Sequence, residues 1–293
     1  MVSYLFAGQG SQYIGMGKDL YESFPVCRAV FEVADKVLKI PLAKLCFEGP
    51  QEELTRTQNC QPAILTMSIA ALEAFKSSKS YEPSSVGYAA GLSLGEYSAL
   101  VAAGAISFED AVYLVRRRGQ FMEEEAVRHP GKMLSVIGLD SAAIKQICAD
   151  TQTEIANMNC PGQTVISGGV KEIEQAQALA KERGAKMAVM LEVSGAFHSS
   201  FMKEASLKLA KELDKINIVK PNIPVVSNVT AKPAGSAVEV KDNLIKQVSS
   251  SVLWEDSMKF ILSKNVTTFF EFGPGKVLKD LMRRIDANVQ VIN

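Results

Sequence analysis

The strongest constraint on the fold is a short apolar run that leads into a glycine–serine–glycine motif. Residues 86–90 have the length and composition of a buried strand, and residues 94–103 form an apolar run long enough for a helix. Between them lies Gly-Leu-Ser-Leu-Gly, with Ser93 at its centre. The flanking glycines permit a strained backbone and close helix packing, which push a serine hydroxyl outwards. This pattern favours an α/β fold with a nucleophilic Ser93; the alternative is a serine in an ordinary tight turn.

The other apolar segments alternate between strand and helix patterns. We predict strands at residues 2–7, 223–228, 267–272 and 289–292, helices at residues 25–38, 62–76, 200–213, 241–248 and 255–263, and further helices that begin at Ser107 and end near Arg284. Strands that alternate with helices predict an α/β fold whose sheet is largely parallel.

Residues 132–193 follow a different pattern. We predict strands at residues 133–138, 154–158, 164–168 and 185–193, and helices at residues 141–150 and 171–183. The order β-α-β-β-α-β is that of the ferredoxin-like unit. We therefore predict a small subdomain at residues 129–194, inserted into a larger α/β subdomain made of residues 1–128 and 195–293.

Composition narrows the classes of partner and environment. Lys plus Arg and Asp plus Glu each number 32 among 293 residues, so no global field favours nucleic acid or an anionic membrane. The five cysteines contain no Cys-x-x-Cys pair, which argues against a zinc site and for reduced thiols. No signal peptide or membrane span is evident. We expect a cytoplasmic protein without metal or cofactor.

A nucleophilic serine needs a base, and the chain contains two histidines. His129 precedes Pro-Gly in what reads as a surface connection, whereas His198 lies among small residues where the predicted small subdomain ends. Clefts between domains commonly hold active sites, which favours His198. The group that orients the imidazole stays open: Asp110 and Asp140 are candidates, and so is a backbone carbonyl.

An arginine lies within the apolar stripe of the helix that begins at Ser107. Asp110 completes a capping signature with Ser107, and Leu114 and Phe121 belong to the helical apolar pattern. Arg118 shares that stripe, and a buried cation needs an anionic partner. The partner is either a substrate carboxylate, which a guanidinium binds through two parallel hydrogen bonds, or a structural Glu or Asp.

Backbone N–H groups near Ser93 predict an oxyanion hole. In the strand–turn–helix geometry, the N–H of Leu94 would face a reacting carbonyl. The loop Gly-Gln-Gly-Ser-Gln at residues 8–12 lacks a phosphate-loop pattern. It is therefore a candidate for a second oxyanion donor, or simply a tight loop.

A series of short motifs spans nearly the whole chain. They are FAGQGSQ (residues 6–12), QPA (61–63), GLSLGEYSAL (91–100), RG (118–119), NMNCPGQ (157–163), GAFH (195–198) and GPGK (273–276). In this order they resemble the malonyl-CoA:acyl carrier protein transacylase family of fatty acid and polyketide synthesis. The resemblance implies an α/β-hydrolase-like large subdomain with a ferredoxin-like insert, in agreement with the pattern above.

The resemblance also implies residue roles. Ser93 would carry the acyl group, His198 would be its base, and Arg118 would bind the free carboxylate of the malonyl group. The backbone N–H groups of Gln9 and Leu94 would form the oxyanion hole.

Further positions carry over from the family with departures. Gln61 and Asn157 would neighbour the pocket. The carbonyl that orients the histidine precedes a tryptophan in the family, which implies Leu253 here, where family members often have glutamine. Many members also have histidine at the position of Leu92.

The implied reaction transfers a malonyl group from malonyl-CoA to the phosphopantetheine thiol of an acyl carrier protein. The reaction would proceed through a malonyl-Ser93 intermediate. Independently of the resemblance, we expect a monomer. There are two rival functions. The first is a serine hydrolase that edits acyl thioesters, but a hydrolase for uncharged acyl chains would have no use for Arg118. The second is a non-catalytic module that docks a carrier protein.

Overall fold

The computed structural model describes residues 1–78 and 86–293, over which strands and helices alternate. In chain order the elements are β1 (Val2–Phe6), α1 (Lys18–Ser23), α2 (Pro25–Leu38), α3 (Leu42–Glu48), α4 (Gln51–Thr55), α5 (Thr57–Lys76), β2 (Val86–Gly91), α6 (Gly95–Ala102), α7 (Phe108–Arg128), β3 (Gly131–Ile137), α8 (Ser141–Thr151), β4 (Glu154–Cys160), β5 (Gln163–Gly169), α9 (Val170–Glu182), β6 (Met187–Met190), α10 (Lys203–Leu213), α11 (Ala237–Gln247), α12 (Trp254–Leu262), β7 (Thr268–Phe272), α13 (Val277–Ile285) and β8 (Gln290–Ile292). A 3-10 helix, Ser200–Met202, precedes α10.

The larger sheet is parallel and buried on both faces. Its strand order is β2-β1-β7-β8, and each neighbouring pair is parallel. Along β1, Tyr4 and Phe6 pack into the main core, whereas Leu5 packs into a second core with Trp254 and Met258 of α12. Side chains alternate between the faces of a strand, so one short apolar run supplies both cores. The predicted parallel α/β architecture is confirmed.

The smaller sheet is antiparallel, with the order β4-β5-β3-β6. One face of it packs on α8 and α9, where Leu134 meets Ile144 and Ile173. The other face turns Met133 and Val165 into the main core. This arrangement confirms the ferredoxin-like β-α-β-β-α-β unit, while the subdomain limits at residues 129 and 194 stay a prediction.

One helix begins earlier than its sequence pattern indicates. The predicted helix at residues 62–76 is α5, which begins at Thr57 and includes Pro62. Proline lacks an N–H, so the carbonyl of Gln58 loses its helical donor. The Nη1 of Arg116 on α7 donates to that carbonyl at 2.9 Å instead. A contact from another helix therefore allows Pro62 to lie inside α5, whereas the sequence alone predicts that the helix starts at this proline.

The predicted strand at residues 223–228 is wrong. Here the chain forms isolated bridges, in which Ala89 donates to the carbonyl of Pro224 at 3.0 Å and Val226 donates to Ala89 at 2.9 Å. The N–H of Asn228 then donates to the carboxylate of Glu96 at 3.0 Å rather than to a strand. A polar interaction thus ends the pairing after one step. The pattern also missed α1, α3 and α4, which are short helices.

Helix α7 begins as the capping signature predicts, and it delivers Arg118 to the core. The Ser107 hydroxyl accepts from the N–H of Asp110 at 3.1 Å. Leu114, Phe121 and Arg118 are all buried on the same face of the helix. In the two stretches that the structure describes, residues 1–78 and 86–293, we find no helix with the length and apolar character that a membrane crossing requires.

Candidate active site

Ser93 lies on a sharp turn between β2 and α6, at the edge of the parallel sheet. Its φ of 51° is left-handed, a region that few non-glycine residues adopt. A Cβ added to Gly91 would lie 2.0 Å from the carbonyl carbon of Gly95, and a Cβ on Gly95 would lie 2.1 Å from the carbonyl oxygen of Phe6. Both glycines are therefore required by close packing of α6 against β1 and β2, as the motif predicted. This packing presents the Ser93 hydroxyl at the end of the strand.

His198 is held by the loop that follows the smaller sheet. The Ser167 hydroxyl of β5 donates to the carbonyl of Phe197 at 2.7 Å, which fixes the loop one residue before the histidine. His198 itself has a φ of 57°, so its backbone is also left-handed. Two residues of unusual backbone geometry, Ser93 and His198, thus meet from different sheets. Such strain is characteristic of functional sites.

The Ser93 hydroxyl and the His198 ring are in direct contact. Ser93 Oγ lies 2.7 Å from His198 Nε2, and His198 Nδ1 lies 2.9 Å from the carbonyl oxygen of Gln247. A carbonyl can only accept, so Nδ1 of the neutral ring carries the proton and Nε2 is left as an acceptor. The Ser93 hydroxyl therefore donates to Nε2, the arrangement that a serine nucleophile and its base require.

The carbonyl that orients His198 belongs to Gln247 and not to Leu253. The Leu253 carbonyl accepts from the N–H of Ser257 at 3.0 Å and from its hydroxyl at 2.7 Å. That carbonyl begins α12, so helix formation occupies it. The implied role of Leu253 is therefore corrected: the orienting carbonyl is that of Gln247.

The other candidates for base and orienting group lie elsewhere. His129 is exposed at the C-terminal end of α7. Asp140 caps α8 through Ala143, and Asp110 belongs to the first turn of α7. None of these three residues contacts Ser93 or His198, so an imidazole oriented by a carbonyl is the arrangement seen.

The surroundings of His198 keep it neutral. Burial is the largest influence and, with the positive charge of Arg118, lowers the pKa of His198 to about 4. Hydrogen bonds to the backbone of Gln247 and Ser250 oppose this shift. The ring is consequently in its basic form at neutral pH.

Arg118 is buried to 1% exposure and is held by amide and hydroxyl oxygens. Nη1 donates to Gln61 Oε1 at 2.9 Å, and Nη2 donates to Ser93 Oγ at 3.0 Å and to Gln247 Oε1 at 3.1 Å. Within the described part of the chain, its buried Nε–H has no acceptor and the guanidinium forms no salt bridge. The structural salt bridge considered from the sequence is therefore absent there, and a buried cation retains a free donor.

Three residues of the site were not predicted from the sequence. Asn228 Oδ1 accepts from the N–H of Ser93 at 2.6 Å, while its Nδ2 donates to the carbonyl of Gly91 at 2.8 Å. Gln247 contacts Ser93 and Arg118 with its side chain. Glu96 accepts from both Asn228 and Gln247. The one signal in the sequence was Glu96, a charge inside the longest apolar region.

The remaining sequence candidates lie around this centre. Gln9 donates through Nε2 to the Thr57 hydroxyl at 3.3 Å, and the residue before it, Gly8, packs against the carbonyl of Leu92. Among residues 1–78 and 86–293, no acceptor is seen for the backbone N–H groups of Gln9 or Leu94. Asn157 is buried on β4, where it pairs with residue 252 of the segment that follows Gln247.

The site carries no set of metal ligands. Within the described ranges, no group of three or more His, Cys, Asp and Glu side chains is placed to hold a metal ion. The chemistry that this arrangement supports is nucleophilic attack by a serine with an adjacent neutral imidazole and a buried guanidinium.

Comparison with known proteins identifies the family of the chain. A family model described as acyl transferase domain matches residues 3–286. The malonyl CoA-acyl carrier protein transacylase of Bacillus subtilis (strain 168) is 50% identical over 297 residues, which cover 99% of this chain and 92% of the relative. The chain belongs to the malonyl CoA-acyl carrier protein transacylases.

Solved structures place the acyltransferase in the same family. The acyl-carrier-protein-S-malonyltransferase of Bartonella henselae matches with a TM-score of 0.96 and 40% identity, covering 99% of this chain and 94% of that one. A malonyl-transacylase in complex with its type II PKS acyl-carrier protein matches with a TM-score of 0.95 and 39% identity, covering 99% and 94%. The acyltransferase thus shares both fold and sequence with enzymes of malonyl transfer.

Proposed function

We propose that the acyltransferase moves the malonyl group of malonyl-CoA to the phosphopantetheine thiol of an acyl carrier protein, through a malonyl ester on Ser93. One observation carries the proposal: Ser93 Oγ lies 2.7 Å from the neutral His198 Nε2 and 3.0 Å from a guanidinium nitrogen of buried Arg118. Nucleophile, base and carboxylate-binding cation therefore meet at one oxygen. The names of the related proteins supply the donor and the acceptor.

In the first half-reaction, Ser93 Oγ attacks the thioester carbonyl and its proton passes to His198 Nε2. Gln247 steadies the resulting imidazolium, because its carbonyl accepts from Nδ1 in both protonation states. The backbone N–H groups of Gln9 and Leu94 stabilise the oxyanion of the tetrahedral intermediate. When the C–S bond breaks, the CoA thiolate takes the proton from His198 and leaves malonyl-Ser93.

In the second half-reaction, the thiol of the carrier's phosphopantetheine attacks the malonyl ester. His198 accepts the thiol proton and returns it to Ser93 Oγ as the ester bond breaks. CoA leaves before the second thiol arrives, so the reaction is ping-pong.

Arg118 selects the acyl group in this scheme. Its guanidinium binds the free malonyl carboxylate through two parallel N–H groups, which suits a planar fork. Among the described residues, its buried Nε–H has no protein acceptor. Gln61 and Gln247 hold the guanidinium by neutral oxygens, so the substrate supplies the missing anion.

The test is the site of the covalent adduct. Mass spectrometry of peptides after mixing with malonyl-CoA should show the malonyl group on the peptide that contains Ser93, and the carrier protein should remove it. The matched control is Ser93→Ala, which keeps both flanking glycines and should take up nothing. A malonyl group on another residue, or an adduct that persists in Ser93→Ala, would refute the proposal.

The pKa of His198 predicts the acid limit of the reaction. With a pKa of about 4 the base form persists in acid, so the acylation rate of Ser93 should change little between about pH 8 and pH 5 and should fall near the pKa itself. The measurement is a rapid-quench time course of the adduct at each pH. A half-maximal rate near 6.5, the ordinary pKa of histidine, would contradict the prediction.

Circular dichroism at each pH is the control for unfolding. Between pH 6.5 and about 4, His198 is protonated in the unfolded chain but neutral in the folded protein. Its contribution therefore makes the folded state less stable as the pH falls through that window. Burial raises the pKa of Glu96 from 4.5 to about 7, so the effect of Glu96 on stability has the opposite sign. The folded state becomes more stable relative to the unfolded chain as the pH falls from about 7 to 4.5 and Glu96 is protonated.

A further inference from the structure

A buried carboxylate that takes no part in the scheme above lies behind the active site. Glu96 is 3% exposed in the first turn of α6, three residues after Ser93. Its Oε2 accepts from the side-chain Nε2 of Gln247 at 2.7 Å and from the backbone N–H of Asn228 at 3.0 Å. Burying a carboxyl group is costly, so its place here calls for a reason beyond packing.

Glu96 settles which way the amide of Gln247 points. The two N–H groups on Nε2 have two acceptors, the Ser93 carbonyl at 3.0 Å and Glu96 Oε2 at 2.7 Å. Consequently Oε1 faces Arg118 Nη2, which donates to it at 3.1 Å. The reversed amide would turn an N–H towards the guanidinium and an oxygen towards Glu96, so it is excluded.

The same carboxylate fixes the residue that holds the Ser93 backbone. Asn228 accepts the Ser93 N–H at 2.6 Å and donates to the carbonyl of Gly91 at 2.8 Å, so it spans the strained turn. Its own N–H donates to Glu96. Glu96 therefore joins Asn228, which binds the backbone N–H of Ser93, to Gln247, which binds the Ser93 carbonyl.

We infer that Glu96 is a positioning residue that sets Ser93, His198 and Arg118 in register through Gln247 and Asn228. The inference rests on the proposed function for the roles of those three residues. Glu96 touches no reacting atom: it acts on the nucleophile through both partners, and on base and guanidinium through Gln247. Its contribution is a fixed acceptor oxygen.

The acceptor oxygen is available in both protonation states. Burial raises the pKa of Glu96 to about 7. A proton on Oε1 leaves Oε2 free to accept the same two hydrogen bonds. Glutamine can do the same with its amide oxygen, whereas alanine cannot.

The experiment compares Glu96→Ala with Glu96→Gln, using an alkyl fluorophosphonate and, separately, malonyl-CoA. The fluorophosphonate reports the reactivity of Ser93 without malonyl chemistry, because Ser93 Oγ displaces fluoride from phosphorus. Glu96→Ala should slow labelling by both reagents about 100-fold, the effect of a misplacement of about 1 Å. Glu96→Gln should stay within about fivefold of wild type, since one oxygen accepts both hydrogen bonds.

The matched control is another buried carboxylate that accepts two hydrogen bonds. Glu271 on β7 is 4% exposed and accepts from the N–H groups of Leu278 and Lys279 at 2.9 Å each. Glu271→Ala should lose stability and yet label at the wild-type rate per folded molecule. If Glu96→Ala does not fold, Gln247→Met removes the hydrogen bond to Glu96 together with the direct contacts to Ser93 and Arg118, and it should be at least as slow.

Each outcome decides the inference. Labelling of Glu96→Ala or Gln247→Met within about threefold of wild type would overturn it, because tight positioning is worth far more. An equal loss of labelling rate in Glu96→Gln and Glu96→Ala would overturn it as well. The site would then require the negative charge of Glu96 and not merely a hydrogen-bond acceptor. A wild-type enzyme that reacts with the fluorophosphonate but takes no malonyl group would refute the proposed function alone.

Discussion

Replacing His198 by alanine should lower the acylation rate of Ser93 by about 10²- to 10⁴-fold, the contribution typical of a general base. The Ser93 hydroxyl donates to His198 Nε2 at 2.7 Å, and Gln247 keeps Nε2 free of a proton. Without the ring, the hydroxyl proton has no acceptor at the moment of attack. The measurement is the rapid-quench time course of the malonyl adduct at neutral pH.

The chain offers a matched control, since it contains one other histidine. His129 is exposed at the end of α7, and His129→Ala should acylate at the wild-type rate. Circular dichroism spectra that match wild type would show that both variants are folded. Acylation of His198→Ala within tenfold of wild type, or an equal loss in His129→Ala, would contradict the assignment of the base.

The sequence singles out Ser93, His198 and Arg118, which the structure brings into contact, because each has a local or countable signal. Ser93 lies between two glycines at the end of a strand. No side chain fits at Gly91 or Gly95, and the motif shows this steric requirement directly. His198 was one of two histidines. Arg118 was a charge at helical spacing within an apolar stripe, and the stripe is buried as predicted.

The partners of these residues could not be identified in the same way. Gln247 contacts His198 with its backbone and Arg118 with its side chain. In sequence it lies 129 residues from Arg118. Nothing around position 247 distinguishes it locally, because its role depends on how α11 ends against the active site. The choice of Leu253 relied on the neighbouring tryptophan and missed this packing.

The same distinction separates the elements that were predicted from those that were not. Helix α2 and the strand β7 carry their own periodic signals and lie where the pattern indicated, to within a residue. The segment at residues 223–228 has the apolar run of a strand, but Asn228 diverts it towards Glu96. The helix start at Thr57 depends on Arg116, which lies on another helix.

Replacing Arg118 by alanine should sharply lower the preference of the enzyme for malonyl-CoA over acetyl-CoA. In the proposed scheme the buried guanidinium binds the malonyl carboxylate, and removing one partner of a buried charge pair costs about 2 to 5 kcal/mol. The kcat/KM for malonyl-CoA should therefore fall by at least about 30-fold and by as much as several thousand-fold. Acetyl-CoA has no carboxylate and should lose far less.

The ratio of the two kcat/KM values is the decisive measurement, because Arg118 also donates to Ser93 Oγ at 3.0 Å. Loss of that hydrogen bond slows both acyl groups by the same factor, which cancels in the ratio and leaves the contribution of the malonyl carboxylate. Arg117→Ala is the matched control: Arg117 lies on the same helix but pairs with Glu212 near the surface, so its ratio should equal that of wild type. An unchanged ratio in Arg118→Ala would mean that the guanidinium supports the site without reading the acyl group.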